Sequence, residues 1–194
     1  MTNAQTAILL IFYALLALAA AMDVWKLRIS NFFPAAIIIL FQGWMYTSGW
    51  NSSLWQNALV FLATFLGGLF LFSRGWLGGG DVKLLTAIAM WFDFTGAGAL
   101  YLFVAMGGGL LSLAFIAMRR LLPSAITQGG AFPGLKAGGP IPYGLAIAGG
   151  AALAVMSGYT NPQPPPEPWS LHRLGLGAQA DPVAPVTSIR PPAS

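Results

Sequence analysis

Residues 54–85 read LWQNALVFLATFLGGLFLFSRGWLGGGDVKLL. The first part, 54–73, carries no charge, and its only polar side chains are Gln56, Asn57, Thr64 and Ser73. A bilayer core is crossed by a helix of about 20 mostly apolar residues, and this run has that length. Arg74 and a glycine-rich stretch follow, and then Asp81 stands at the head of a second apolar run. Working outward, uncharged runs also cover 1–22, 29–73, 94–118 and 137–166. The chain is 57% hydrophobic and only 7% charged, against about 25% charged residues in a soluble domain. It lacks the polar surface that water would demand. A transmembrane β-barrel would alternate apolar and polar residues in segments of about ten, whereas these runs come in blocks. The expectation is an all-α polytopic membrane protein with about six transmembrane helices.

The breaks between runs place the helices. The first is expected from about Ala7 to Met22, ending at Asp23, and a polar segment runs from there to Asn31. Ser30 or Asn31 suits the cap of the second helix and Pro34 its first turn, so that helix covers about Phe33 to Met45. After a turn at 51–53, the third spans about Leu54 to Phe72 and the fourth runs from near Asp81 to near Phe92. The fifth covers about Ala97 to Met118, and the sixth about Ile141 to Met156 after a loop with Arg119, Arg120 and Lys136. The first run lacks a basic start and a small-residue cleavage site, so it reads as a retained helix and not a signal peptide. Residues 1–157 form one membrane domain, and the Pro-rich tail 158–194 is expected to be disordered.

Six crossings put Lys26, Arg28, Arg74, Lys83, Arg119, Arg120 and Lys136 on one side, and only Arg173 and Arg190 on the other. The positive-inside rule makes the first side cytoplasmic. The fourth helix is the weak link: about 11 apolar residues rise about 16 Å against a hydrocarbon core of about 30 Å.

Charge and composition exclude several classes. The net charge of +4 is dispersed singly or in pairs, with no basic patch bearing stacking aromatics, so nucleic acid is not a partner. With no cysteine, thiolate nucleophiles, disulfides and cysteine-zinc sites are ruled out together. His172, the only histidine, lies in the tail. A serine triad or a histidine metal site is therefore not expected, and the reading calls for no metal and no cofactor.

What remains is carboxylate chemistry. Only 5 of the 194 residues are Asp or Glu, and an ionisable residue at a membrane segment marks function by default. The second and third helices form a hairpin that leaves one face and returns to it. Asp23 and Asp81, 58 positions apart, thereby share one face. Two close carboxylates cannot both ionise cheaply; the ionised one can take a proton from water while the protonated one polarises a carbonyl. That is metal-free peptide hydrolysis with Asp23 and Asp81 as catalytic pair. Gly78 and Gly80 would let an extended substrate backbone lie close or adopt positive φ, with Gly80 the more sensitive position.

These residues resemble the prepilin peptidases, the type IV prepilin leader peptidase family of Gly-x-Gly-Asp aspartyl proteases. The resemblance rests on Asp23 with Lys26, Arg28, Ile29 and Asn31, on Gly78-Gly79-Gly80-Asp81-Val82-Lys83-Leu84-Leu85, and on Ile141-Pro142-Tyr143-Gly144-Leu145-Ala146-Ile147. It covers about residues 7–157 and is closest to short, peptidase-only members that process Flp-type pilins. Longer relatives carry an N-terminal segment with paired cysteines and an N-methyltransferase activity; with no cysteine here and no room for that segment, the expectation is a peptidase-only chain. Many relatives have Ile-Pro-Asn where this chain has Ile29, Ser30 and Asn31. The resemblance implies removal of a prepilin leader after a glycine at the cytoplasmic face of the bacterial inner membrane, with membrane lipid and the pilus assembly machinery as surroundings.

Plainer roles compete. Asp23 is also explained as an interfacial residue paired with Lys26 or Arg28, and Asp81 as a simple helix N-cap. Asp93 reads as a turn residue. Lys83 suits snorkelling to the interface, or else a supporting contact to substrate. The tryptophans at 25, 44, 50, 55, 76 and 91 suit an aromatic belt. The rival function is a non-enzymatic scaffold or small transporter of a pilus or secretion system. A transporter would place its polar groups near the midplane, while the acids here sit at one edge.

Overall fold

A computed structural model describes residues 3–48, 54–121, 139 and 141–159. All six elements among them are helices: α1 (Asn3–Lys26), α2 (Phe32–Ser48), α3 (Leu54–Ser73), α4 (Gly79–Ala89), α5 (Phe94–Leu121) and α6 (Tyr143–Met156). The expected turn at 51–53, most of the loop with Lys136, and the tail with His172, Arg173 and Arg190 lie outside the described residues.

Three helices, α1, α3 and α5, are long and apolar enough to cross a membrane, and α2 and α6 are shorter apolar helices. Their outer surfaces are apolar too. Leu110 and Leu113 on α5 are 67% and 65% exposed, and Leu66 and Phe70 on α3 are also exposed. In water such faces would be a large exposed patch; in lipid they meet a solvent of their own kind.

The breaks in the sequence set the helix ends. α3 stops at Gly75 and α6 at Gly158, whose φ values of 71° and 81° are left-handed. At α3 the Gly75 and Trp76 N–H groups turn back to the Phe72 and Leu71 carbonyls. At α6 the Gly158 and Tyr159 N–H groups turn back to Val155 and Ala154. Both are glycine-dependent helix stops. α1 behaves otherwise. It was expected to end before Asp23, yet it continues to Lys26 and so carries Asp23 inside its last turns. Lys26 suits the negative end of the helix dipole. The left-handed residue that ends it is Leu27, at φ 49°.

α4 sits at the centre. It packs against α2, α3 and α6, and Val82, Leu84, Thr86, Ala87, Ile88 and Ala89 are buried. It starts earlier and stops earlier than expected, and the chain leaves it in a tight turn through Trp91 and Phe92, both fully buried. The Asn57 side chain of α3, itself buried, donates to the Met90 carbonyl at 2.9 Å. That bond satisfies a carbonyl that the end of α4 leaves without a helical partner.

The aromatic-belt expectation is corrected at two positions. Trp91 is at 0% exposure and Trp44 at 3%. Trp91 lies among Phe12, Phe41 and Trp44, with ring centroids 4.5, 5.7 and 5.9 Å away, and donates its indole N–H to the Ile37 carbonyl. These two are core residues that tie α1, α2 and the end of α4 together. Trp25, Trp55 and Trp76 are exposed, and Trp50 lies outside the described residues.

Candidate active site

Asp23 is 5% exposed. Burying a carboxylate is costly unless it is hydrogen-bonded, and its partner comes from the far end of the chain. The Gly144 N–H, in the first turn of α6, donates to Asp23 Oδ2 at 2.7 Å. That amide is one of the helix-start N–H groups that have no intrahelical acceptor. Gly144 is glycine for a steric reason. A Cβ there would stand 2.8 Å from Asp23 Oδ2 and 2.8 Å from Ile29 Cδ1.

Asp81 lies in the first turn of α4, where a carboxylate suits the helix dipole. Gly78, in extended conformation at φ −72°, is the N-cap residue and offers no side chain. The Asp81 carboxyl folds back over it, so that a Cβ on Gly78 would meet Asp81 Oδ2 at 2.8 Å. Asp81 is close enough to Asp23 to feel its charge.

The connection from α1 to α2 lines the same site through Leu27, Arg28 and Ile29. Its central residue, Ile29, is held from both sides. A Cβ on Gly80 would stand 3.2 Å from Ile29 Cβ, and Gly144 closes on the other side. The connection then enters α2 through Ser30, whose Oγ accepts the Phe32 N–H at 3.3 Å. Ser30 thus caps α2 where many relatives have proline. Asn31 turns its side chain elsewhere: its Oδ1 accepts a hydrogen bond from Lys83 Nζ of α4 at 3.0 Å.

Asp23, Asp81, Gly78, Gly79 and Gly80 line one cavity of about 270 Å³ together with Leu27, Arg28 and Ile29. The structure thereby brings together four of the residues singled out in the sequence, Asp23, Asp81, Gly78 and Gly80. The fifth, Lys83, does not line this cavity; it is exposed and ties α4 to the start of α2. Positive φ is not what the three glycines supply, since among the described glycines only Gly75 and Gly158 have it. Gly80 admits Ile29, and Gly78 admits the Asp81 carboxyl. Asp93 accepts the Gly96 N–H at 2.8 Å at the start of α5, the turn role expected of it.

Gly144 was not singled out as a site residue. Its only signal was the Pro142-Tyr143-Gly144 start of α6, and nothing in that local pattern points 121 positions back to Asp23. Among the described residues no group of three or more His, Asp or Glu stands together as a metal site.

A helical chain with three potential membrane spans and two aspartates in one cavity lined by glycines defines a class, that of helical proteins with a paired-carboxylate site. The model of the type IV leader peptidase family matches residues 10–118, a segment that contains both aspartates and the three glycines, and the chain belongs to that family. Its function is accordingly of the type IV leader peptidase kind. Neither the curated proteins nor the solved structures include a match to this chain.

Proposed function

We propose that the protein is a membrane aspartyl endopeptidase of the Gly-x-Gly-Asp type, which removes the leader of type IV or Flp-like prepilins at the cytoplasmic face of the bacterial inner membrane. The observation that carries the proposal is the single cavity lined by Asp23 and Asp81, 58 positions apart in the chain. The family match supports the peptidase part.

In this reading the pair shares one proton. The ionised carboxylate accepts a proton from a water molecule as its oxygen attacks the scissile carbonyl. The protonated carboxyl donates to the carbonyl oxygen, and the resulting tetrahedral intermediate collapses as a proton passes to the leaving amine. No covalent enzyme intermediate forms. Gly144 aims Asp23 through its N–H, and Gly80 and Gly144 hold the α1–α2 connection so that both carboxylates face one space. The leader peptide of a prepilin is the substrate, lipid is the solvent of α1, α3 and α5, and the pilus assembly machinery receives the product.

Co-expression with a Flp-like pilin tests the proposal. A shift of the pilin to the mobility of the mature form supports it. An unshifted pilin, with the protein verified in the membrane, favours the non-enzymatic scaffold or transporter reading.

A further inference from the structure

Leu27 is the one non-glycine residue with positive φ among the described residues, at 49°. Its N–H closes the end of α1 on the Asp23 carbonyl at 2.8 Å. This left-handed position after a helix is where glycine is usual, because a Cβ is strained there. A leucine at such a place needs a reason, and strained residues of this kind gather at functional sites. Core packing is not the reason. Ile29, two residues on, packs against the buried core, whereas Leu27 is not among the half-buried residues that do. Leu27 is instead one of the residues that line the cavity. Of the other lining residues, Asp23 and Asp81 are acids, Arg28 is a cation, Gly78 to Gly80 have no side chains, and Ile29 is clamped between Gly80 and Gly144. Leu27 and Ile29 are thus the apolar side chains of that lining, and Leu27 is the one that is not packed against the buried core.

We propose that Leu27 is a specificity-determining residue, whose side chain forms the apolar wall that receives an apolar residue flanking the scissile bond of the substrate peptide. The inference rests on the peptidase reading above. The strained backbone at 27 keeps that wall beside Asp23.

Two measurements on the full chain test it. In the first, Leu27→Gly and Leu27→Met are compared with the parent protein on two prepilins that differ only in one flanking residue, apolar or serine. The parent and Leu27→Met should prefer the apolar substrate by about tenfold in kcat/KM, the order of one apolar contact in a pocket. Leu27→Gly should lose that preference while its Tm in detergent does not fall. A residue that merely packs would instead lower Tm and slow both substrates alike, with the preference kept. In the second, Leu27→Cys is placed in an Asp23→Asn background and joined by a short bis-maleimide to a leader peptide bearing cysteine at the flanking position. Ser73→Cys is the control, since the chain has no cysteine of its own. Cross-linking at 27 and not at 73 supports the contact even if the parent cleaves no prepilin, in which case the peptidase reading alone falls. Absence of cross-linking at 27, equal cross-linking at 73, or an unaltered preference in Leu27→Gly overturns the proposal.

Discussion

At the scale of residues the site is a matter of a few β-carbons. Asp23→Asn and Asp81→Asn should each lower prepilin cleavage by at least about 100-fold, the lower range for loss of a general acid or base, with membrane insertion unchanged. Pilin mobility and the amount of protein in the membrane fraction read the two effects separately. The glycines next to the carboxylates offer a finer test. Alanine at Gly144 or Gly78 would set a Cβ 2.8 Å from a carboxylate oxygen, closer than real contacts allow. Alanine at Gly80 meets Ile29 at 3.2 Å, where a small shift of the connection suffices. Gly144→Ala and Gly78→Ala should therefore lower kcat by about tenfold or more, with Gly80→Ala milder and Gly80→Val severe. Gly80 was expected to be more sensitive than Gly78 to valine; for alanine the contacts give the opposite order. Turnover of the three alanine variants at matched expression decides the order.

At the scale of elements, α4 is the piece on which the site depends. It carries Asp81 at its start and is held at its other end by the Asn57 bond to Met90. Asn57→Ala leaves the Met90 carbonyl without that donor inside the protein, a loss of about 1–2 kcal/mol for an interhelical hydrogen bond between apolar helices. The variant should unfold several degrees lower in detergent, and cleavage should fall with it, although Asn57 does not line the cavity. An unchanged melting temperature would show that the α3–α4 contact does not depend on this amide. Such a bond is not visible in a hydropathy pattern. In the sequence Asn57 is only one of a few polar residues in an apolar run, and its acceptor lies 33 positions away. The length of α4 was legible, and its burial was not, because an 11-residue apolar helix reads the same whether lipid or protein surrounds it.

At the scale of the whole molecule the proposal requires that the α2–α3 hairpin return the chain to the face it left. Single cysteines at Ser30 and Ser73 flank that hairpin, and Ser157 follows α6. An impermeant thiol reagent applied to intact cells should leave positions 30 and 73 unlabelled and label position 157. Labelling at 30 but not 73, or the reverse, would place the two ends of the hairpin on opposite faces and end the dyad reading.

The sequence by itself pointed to lipid as the solvent and to carboxylates as the candidate chemistry. Long uncharged runs select lipid wherever they fold, and a chain without cysteine, with one histidine and five acids, leaves little but carboxylates to work with. These are sums over local segments, so no contact needs to be known to read them. The motif around Asp81, the segment around Asp23 and the stretch Ile141 to Ile147 likewise carried the family resemblance without any contact being known. Only the tertiary structure decided that Asp23 lies within α1, that Trp44 and Trp91 are core, that Lys83 reaches Asn31, and that Gly144 holds Asp23. Each of these depends on which surfaces of α1, α2, α4 and α6 meet. That meeting is set by close approach at particular β-carbons between segments up to 121 positions apart, and no periodicity along the chain encodes it.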